Sequence, residues 1–266
     1  MIGMSRGFSQ LAQGGSFLME VPDGWQQGRG AYGGLITAWM VKVLEQVGGE
    51  GDRQLRSLTA ELCGPLMVGP AEFRVEMLRR GHHVSTLQVK DLQAGEVVAV
   101  GVGVCGRPRE VDLRWTELTP PWAPPWAEVP PMPEEFSQFA PVFARHFEYR
   151  LVGPEPFQAG PEAQVVGWLR PRDTHLFERD TAYLALMVDG WWPAAFSRMS
   201  APRPMATISF FLQCLGDFEG LDPEAPVLLK VHTVSAGDGY MVEFREVWGH
   251  DGRLLALNQQ TVVVIK

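Results

Sequence analysis

The stretch THLFERDTAYLALMVDG, residues 174–190, is the most informative part of the 266-residue chain. Residues 174–188 have the composition of a helix, with Asp173 or Thr174 as the predicted N-terminal cap. From Ala182 to Val188 this helix is apolar on every side, which is typical of a helix buried all round. We therefore expect an antiparallel sheet that curves around it.

The segments on either side of this helix have the pattern of antiparallel strands. They are apolar, contain β-branched residues and are separated by turn residues, including the Asp-Gly hairpin signal at His250-Asp251-Gly252. The predicted strands are HFEYRLV (146–152), AQVVGWLRP (163–171), MATISFFLQCL (205–215), PVLLKVHTVSA (226–236), GYMVEFREVWG (239–249) and RLLALNQQTVVVI (253–265).

The N-terminal part of the chain repeats this order, which indicates an internal duplication. A helix is predicted for GGLITAWMVKVLEQV (33–47), and strands for RSLTAELC (56–63), AEFRVEMLRR (71–80), VSTLQVKDLQ (84–93) and EVVAVGVGVCG (96–106). We predict an α+β double hotdog: two fused hotdog domains, each with an antiparallel sheet wrapped around a central helix. The alternative is a generic α+β protein with two helices packed on one sheet.

A proline-rich segment separates the two halves. PPWAPPWAEVPPMPEEFSQFAP (120–141) excludes long helices and central strands, because proline removes backbone donors. Trp122, Trp126, Phe136 and Phe139 indicate that the segment packs on a surface. We predict an N-terminal hotdog domain over residues 1–106, a crossover over 107–142 and a C-terminal hotdog domain over 143–266.

Composition limits the classes of partner. The net charge is -8 and no cluster of Lys and Arg is present, which argues against nucleic-acid binding. Three separated cysteines and no apolar run long enough for a membrane span lead us to expect a cytoplasmic protein with free thiols. No metal or cofactor signature is present. Sheet edges favour pairing between copies, so we expect a homo-oligomer.

Several short motifs, in order, resemble the acyl-CoA thioesterase II family, whose members are double hotdogs. Gly30-Ala31-Tyr32-Gly33-Gly34 is similar to that family's aromatic-Gly-Gly start of the first central helix, and Arg79-Arg80-Gly81-His82 to its basic turn. Ala206-Thr207-Ile208 and Gly252-Arg253-Leu254-Leu255-Ala256 followed by Gln260 are similar to two motifs of its C-terminal half. The chain departs from the family at Leu35, where Gln is frequent, and around Ser209 and Phe210.

The resemblance implies hydrolysis of an acyl-CoA to a free acid and CoA. Carried over by position, the residues that hold and activate the attacking water are Asp189, Thr207 and Gln260. Tyr32, Gly33 and Gly34 are then expected to contact substrate, with a backbone N–H near Gly33 or Gly34 polarising the thioester carbonyl. We further expect Arg79 and Arg80 to meet CoA phosphates and Trp191 to line the pocket.

Each candidate also has a purely structural interpretation. Asp189 is able to turn the chain into Gly190 by an Asx-type bond, although a carboxylate at a helix C-terminus is unfavourable. Thr207 is an ordinary strand residue, and the basic turn an ordinary solvated hairpin end. Gln260 faces the core only if the register is right, because a slip to Gln259 reverses the face.

The polar set is expected only in the C-terminal half. The position that matches Gln260 is Gly103, and Ser57 is the expected match for Thr207, which predicts one active site per chain. Three other functions stay open from the sequence: a non-catalytic acyl-CoA or acyl-carrier binding protein, a hotdog enoyl-CoA hydratase, and a structural assembly module. A hydratase usually needs an Asp/His pair, and no histidine lies near Asp189 in the sequence.

Overall fold

The structure is a computed structural model that describes residues 9–10, 15–50, 52–113, 115–138, 140–216, 220–222 and 224–265. The strands of the N-terminal half are β1 (Ser9–Gln10), β2 (Ser16–Val21), β3 (Gln26–Gln27), β4 (Gly30–Ala31), β5 (Gln54–Leu62), β6 (Gly69–Arg80), β7 (Val84–Gln93) and β8 (Glu96–Gly106). Those of the C-terminal half are β9 (Phe147–Gly153), β10 (Gln164–Pro171), β11 (Met205–Cys214), β12 (Val227–Gly237), β13 (Tyr240–Gly249) and β14 (Leu254–Val264). The α-helices are α1 (Gly33–Gly48) and α2 (Thr181–Val188).

One antiparallel sheet runs through both halves. Its strand order is β1-β2-β6-β7-β8-β5-β11-β14-β13-β12-β10-β9, while β3 and β4 form a separate pair. The order β2-β6-β7-β8-β5 of one half corresponds to β10-β12-β13-β14-β11 of the other, and the halves join where β5 pairs with β11. The two halves are therefore related by an approximate two-fold axis between β5 and β11.

The two helices lie on the concave side of this sheet and pack against each other. Thr181, at the start of α2, bonds Glu45 near the end of α1, so the helices run antiparallel. All eight residues of α2 are buried, as are most residues of α1. The predicted double hotdog, with a sheet around each central helix, is confirmed.

The second helix is shorter than predicted. Residues 174–176 form a 3₁₀ turn (Thr174–Leu176) capped by Asp173, and α2 begins only at Thr181. Asp180 caps α2 by accepting from Tyr183 N at 2.9 Å, and it also pairs with Lys42 of α1. The prediction of a cap for α2 at Asp173 or Thr174 was wrong. Asp180 caps α2 and, through its pair with Lys42, also holds α2 against α1.

The proline-rich segment packs against the C-terminal half through Trp126 and Phe136, as predicted, whereas Trp122 is 81% exposed. Phe139 lies outside the described residues. It forms 3₁₀ turns at Trp126–Glu128 and Glu134–Gln138, and a third turn, Val142–His146, directly follows it. The guanidinium of Arg150 lies 4.1 Å from the Trp126 ring centre, and Trp168 Nε1 donates to Pro124 O at 2.9 Å. The domain limits 1–106, 107–142 and 143–266 stay a prediction.

In the described residues, no helix is long and apolar enough to cross a bilayer.

Asp91 on β7 is a carboxylate buried in the N-terminal core. It is 0% exposed between Phe73 of β6 and Ala99 of β8, and neither carboxylate oxygen has a hydrogen-bond partner in the described residues. Burial raises the pKa of Asp91 well above its usual value. Because the folded-state pKa exceeds the unfolded one, the protein loses stability as pH rises from the ordinary carboxyl range through the folded-state pKa.

We expect Asp91→Asn to raise the free energy of unfolding by about 1–3 kcal/mol at alkaline pH, and by progressively less as pH falls. Urea unfolding at several pH values measures this. The exposed Glu76 of β6 supplies the control, and Glu76→Gln should retain the wild-type pH dependence. A pH dependence that is the same in Asp91→Asn and in the wild type would contradict the expectation.

Candidate active site

Asp189 lies where the two helices meet. It directly follows α2 and is 8% exposed. α1 begins at the same point, and its N-terminal cap position, Tyr32, makes no side-chain capping bond. The Gly34 N–H instead donates to the Asp189 carboxylate. The carboxylate therefore faces the unfavourable end of its own helix but the favourable, positive end of the helix from the other half.

A chain of side-chain hydrogen bonds runs from Asp189 across the inner face of the C-terminal sheet. Gln260 Nε2 donates to Asp189 Oδ1 at 2.9 Å and to Asn258 Oδ1 at 3.0 Å. Thr207 Oγ1 donates to Gln260 Oε1 at 2.7 Å. Since both amide hydrogens and the amide oxygen are engaged, the orientation of Gln260 is fixed. The structure thus brings together the three residues that the sequence singles out.

The register of β14 places Gln260, and not Gln259, on the inner face of the sheet. Gln260 is 1% exposed, whereas Gln259 is exposed to solvent. Thr207 is half-buried. Asn258 is buried and anchored by donating from Nδ2 to Phe211 O at 2.9 Å.

A buried ion pair supports Asp189, and sequence reasoning missed it. Arg245 and Glu243 of β13 are 2% and 1% exposed and lie 2.6 Å apart at their closest atoms. Arg245 Nη1 lies 3.7 Å from Asp189 Oδ1 and donates to Val188 O at 2.9 Å and Trp191 O at 3.1 Å. Arg245 therefore caps the C-terminus of α2 and offsets the charge of Asp189 there.

The second oxygen of Glu243 is also engaged. Glu243 Oε2 accepts from Ala194 N at 2.7 Å and from Thr233 Oγ1 at 2.9 Å. Every carboxylate oxygen of this ion pair thus has a donor. A buried network in which every polar group is satisfied is rigid. Removing one member would leave another buried polar group unpaired.

The electrostatic surroundings make Asp189 a stronger base than an exposed aspartate. Burial raises its pKa above the usual value, and the nearby Glu243 adds to the rise. The charge of Arg245 and the hydrogen bonds from Gln260 and Gly34 act in the opposite direction. A carboxylate with a raised pKa accepts a proton from water more readily once it is ionised.

Aromatic residues hold the junction of the two helices. The Tyr32 hydroxyl donates to Leu186 O, and the Tyr32 ring stacks on Phe143 with centroids 3.9 Å apart. Tyr149 Oη donates to Gly190 O at 2.8 Å. Trp191 is 3% exposed and packs against Gly167, where a Cβ would come within 2.1 Å of its ring. The predicted site residues Tyr32 and Trp191 are thus both close to Asp189.

The basic turn lies far from Asp189. Arg80 pairs with Glu50 and donates to Val47 O at 3.1 Å, near the C-terminal end of α1. Asp189 meets the opposite end of this 16-residue helix, which is roughly 20 Å away at the α-helical rise. Arg79 is exposed beside Arg80. A role for Arg79 and Arg80 in binding CoA phosphates stays a prediction.

The two-fold relation between the halves allows each polar strand residue of the site to be compared with its equivalent in the N-terminal half. Gln260 and Glu243 are paired across β14 and β13, as Gly103 and Leu87 are across β8 and β7. By the same register, Arg245 corresponds to Val89. The β-bulges in β5 and β11 make Leu55, not Ser57, the match for Thr207. These four polar residues of the site therefore have apolar or glycine counterparts in the N-terminal half.

In the described residues, no group of three or more His, Cys, Asp or Glu side chains has the geometry to hold a metal ion.

The fold and this site define a double-hotdog protein with one carboxylate–amide–hydroxyl centre between its halves. Its sequence matches the family described as "Acyl-CoA thioesterase N-terminal domain" over residues 21–106 and that described as "Acyl-CoA thioesterase C-terminal domain" over residues 120–264. The chain belongs to the acyl-CoA thioesterase family.

Solved structures confirm the fold. A hotdog-fold protein of unknown function from Alicyclobacillus acidocaldarius is 26% identical, with a TM-score of 0.86 and coverage of 97% of this chain and 96% of that one. An acyl-CoA thioesterase II from Mycobacterium marinum is 18% identical, with a TM-score of 0.75 and coverage of 97% and 95%.

The dehydratase domain of RzxB from Pseudomonas fluorescens is 11% identical, with a TM-score of 0.61 and coverage of 96% of both chains. The fold alone therefore does not determine the reaction. No curated protein sequence matches this chain significantly.

Proposed function

We propose that the protein hydrolyses an acyl-CoA thioester by direct attack of a water molecule that Asp189 activates. The observation that carries this proposal is the bond chain from Asp189 through Gln260 to Thr207, at the positive end of α1. A carboxylate with a raised pKa supplies the base, and a fixed amide and hydroxyl supply orientation. The family to which the chain belongs supports the same reaction.

In the proposed step, Asp189 takes a proton from water while the water oxygen bonds to the thioester carbonyl carbon. The carbonyl electron pair moves to its oxygen, and the tetrahedral intermediate then collapses with cleavage of the C–S bond. The leaving sulfur takes the proton back from Asp189, so CoA departs as the thiol and the Asp189 carboxylate is regenerated. Because the Gly34 N–H already serves Asp189, we assign stabilisation of the oxyanion to the Gly33 N–H.

One observation favours hydrolysis over hydration of an enoyl-CoA. Within the described residues, the groups that bond to or pair with Asp189 are Gln260, Gly34 and Arg245, and none of them is a histidine. An Asp/His pair of the kind a hydratase uses is therefore not formed at this site. A non-catalytic acyl-CoA binding protein is the second candidate, because binding needs no base.

The experiment that separates these functions measures CoA release from short, medium, long and aromatic acyl-CoAs, with an enoyl-CoA in the same panel. We expect release of free acid and CoA from at least one saturated acyl-CoA. Addition of water to the enoyl-CoA without CoA release would indicate the hydratase. Saturable binding with neither reaction would indicate the binding protein. A location in the cytoplasm and assembly into a homo-oligomer stay predictions.

The close approach of Gly33 to the carboxylate gives a second test. A Cβ at Gly33 would lie 2.8 Å from Asp189 Oδ2 and 3.3 Å from Leu62 Cδ1. We expect Gly33→Ala to displace Asp189 and to lower kcat about 10- to 100-fold. Gly64 is the matched control, because a Cβ there meets nothing within 4 Å. Full activity in Gly33→Ala, or an equal loss in Gly64→Ala, would contradict this placement of Asp189.

A further inference from the structure

A cavity of about 520 Å³ opens at the end of the inner face of the C-terminal half, beyond α2. Its walls come from the start of β11, the hairpin end of β12 and β13, the end of β14, and the 3₁₀ turn Ala194–Arg198 with the residues after it. Its apolar lining includes Ala195, Met199, Met205, Met241 and Val264. The size is that of a small-molecule site.

The walls of this cavity are continuous with the candidate active site. Met205, which lines the cavity, precedes Thr207 by two positions on β11, so both side chains point to the same face. Thr233, which also lines it, donates to the Glu243 carboxylate that pairs with Arg245. The cavity therefore lies next to the Asp189–Gln260–Thr207 centre, on the strand that carries Thr207 and against the ion pair that supports Asp189.

Two arginines give the cavity a positive rim. Arg198 and Arg203 are the charged residues of its lining, and both are exposed. Neither has an ion pair or a side-chain hydrogen bond within the described part of the chain. In a chain of net charge -8, two unpaired guanidinium groups beside one cavity are suited to an anionic ligand.

We propose that this cavity holds the CoA part of the substrate, with Arg198 and Arg203 binding its phosphates and the methionine-lined wall packing on the pantetheine arm. This inference rests on the proposed thioesterase function. It assigns the phosphates to a place different from the basic turn, where Arg80 already pairs with Glu50. The open, cationic end suits the charged nucleotide, and the apolar inner wall suits the uncharged arm that leads to the thioester.

Direct binding tests the assignment without any need for turnover. Calorimetry with CoA, dephospho-CoA and pantetheine is carried out on the wild type, on Arg198→Gln/Arg203→Gln and on Arg74→Gln/Arg109→Gln. The last variant removes the same charge at two exposed arginines elsewhere. We expect the first double variant to bind CoA roughly 10- to 100-fold more weakly and with a shallower salt dependence, and the second to bind like wild type.

Kinetics provide the second readout. For the Arg198→Gln/Arg203→Gln variant, we expect KM for an acyl-CoA to rise about as much as the CoA dissociation constant, with kcat unchanged. The same acyl group on N-acetylcysteamine has no phosphates, so its kcat/KM should be equal in variant and wild type. An equal loss with both thioesters, or a larger loss of CoA affinity in Arg79→Gln/Arg80→Gln, would overturn the assignment.

The two proposals fail separately. CoA affinity that depends on Arg198 and Arg203 in a protein without hydrolysis would support the CoA site and reject the thioesterase. Hydrolysis with CoA affinity unchanged in the Arg198→Gln/Arg203→Gln variant would support the thioesterase and reject this site.

Discussion

Asp189→Asn is expected to abolish most turnover while it leaves the fold intact. An amide has the size of the carboxylate, and its oxygen is still able to accept from Gln260, but it takes no proton from water. Loss of a general base lowers kcat by about 10²- to 10⁴-fold. CoA release from the best acyl-CoA of the panel measures the loss, and a melting temperature close to that of wild type shows that the variant is folded.

The pH dependence of the same reaction is a stricter test. Because the active form of Asp189 is ionised, kcat/KM of the wild type should fall as pH decreases through its raised pKa. The residual activity of Asp189→Asn should lack this acid limb. Retention of the limb together with near wild-type turnover would show that another group acts as the base.

Arg245→Met is expected to have the largest effect on stability. The change leaves Glu243, which is 1% exposed, without its charged partner and removes the donor to Val188 O and Trp191 O. Breaking a buried ion pair in this way costs about 3–5 kcal/mol. Chemical denaturation measures this cost. A loss below about 1 kcal/mol, which is usual for exposed pairs, would contradict the buried network.

The N-terminal half supplies a matched control for this variant. Leu87 and Val89 occupy the positions that correspond to Glu243 and Arg245, so Glu243→Leu/Arg245→Val installs the apolar pair that the fold already accommodates. We expect this double variant to regain part of the stability that Arg245→Met loses, since no charge stays buried alone. Recovery is partial because Ala194 N and Thr233 Oγ1 lose their acceptor.

The two variants should also differ in the acid limb. The charge of Arg245 lowers the pKa of Asp189 and that of Glu243 raises it. Arg245→Met should therefore move the limb to higher pH, and the double variant should move it less. A limb that stays at the wild-type pH in Arg245→Met would show that Arg245 does not act on the reacting carboxylate.

Most of the fold could be predicted from the sequence, because its periodic patterns are strong. The all-apolar run from Ala182 to Val188 indicated a buried helix, and the bounds of β7 and β8 match the predicted strands. The start of α2 was missed because Asp173 and Asp180 are both good caps in sequence. Only the tertiary contact of Asp180 with Lys42 distinguishes them.

The candidate site was only partly accessible to sequence reasoning. Motifs indicated Asp189, Thr207 and Gln260, but Glu243 and Arg245 gave no readable signal. In β13 the exposed Phe244 alternates with these two buried charges, which is the reverse of the usual pattern. The cavity and its two arginines come from β11 to β14 and a 3₁₀ turn, so no local motif describes them.

Asp189 lies at the junction of the two halves, and the two halves contribute different groups around it. In a symmetrical homodimer of hotdog domains, each substitution would occur in both domains and would affect two centres at once. Here the C-terminal half carries the polar set, while the N-terminal half contributes packing and the two backbone positions Gly33 and Gly34. The chain therefore resembles a heterodimer of two covalently joined hotdog domains, in which the N-terminal half meets Asp189 through the backbone at the start of α1.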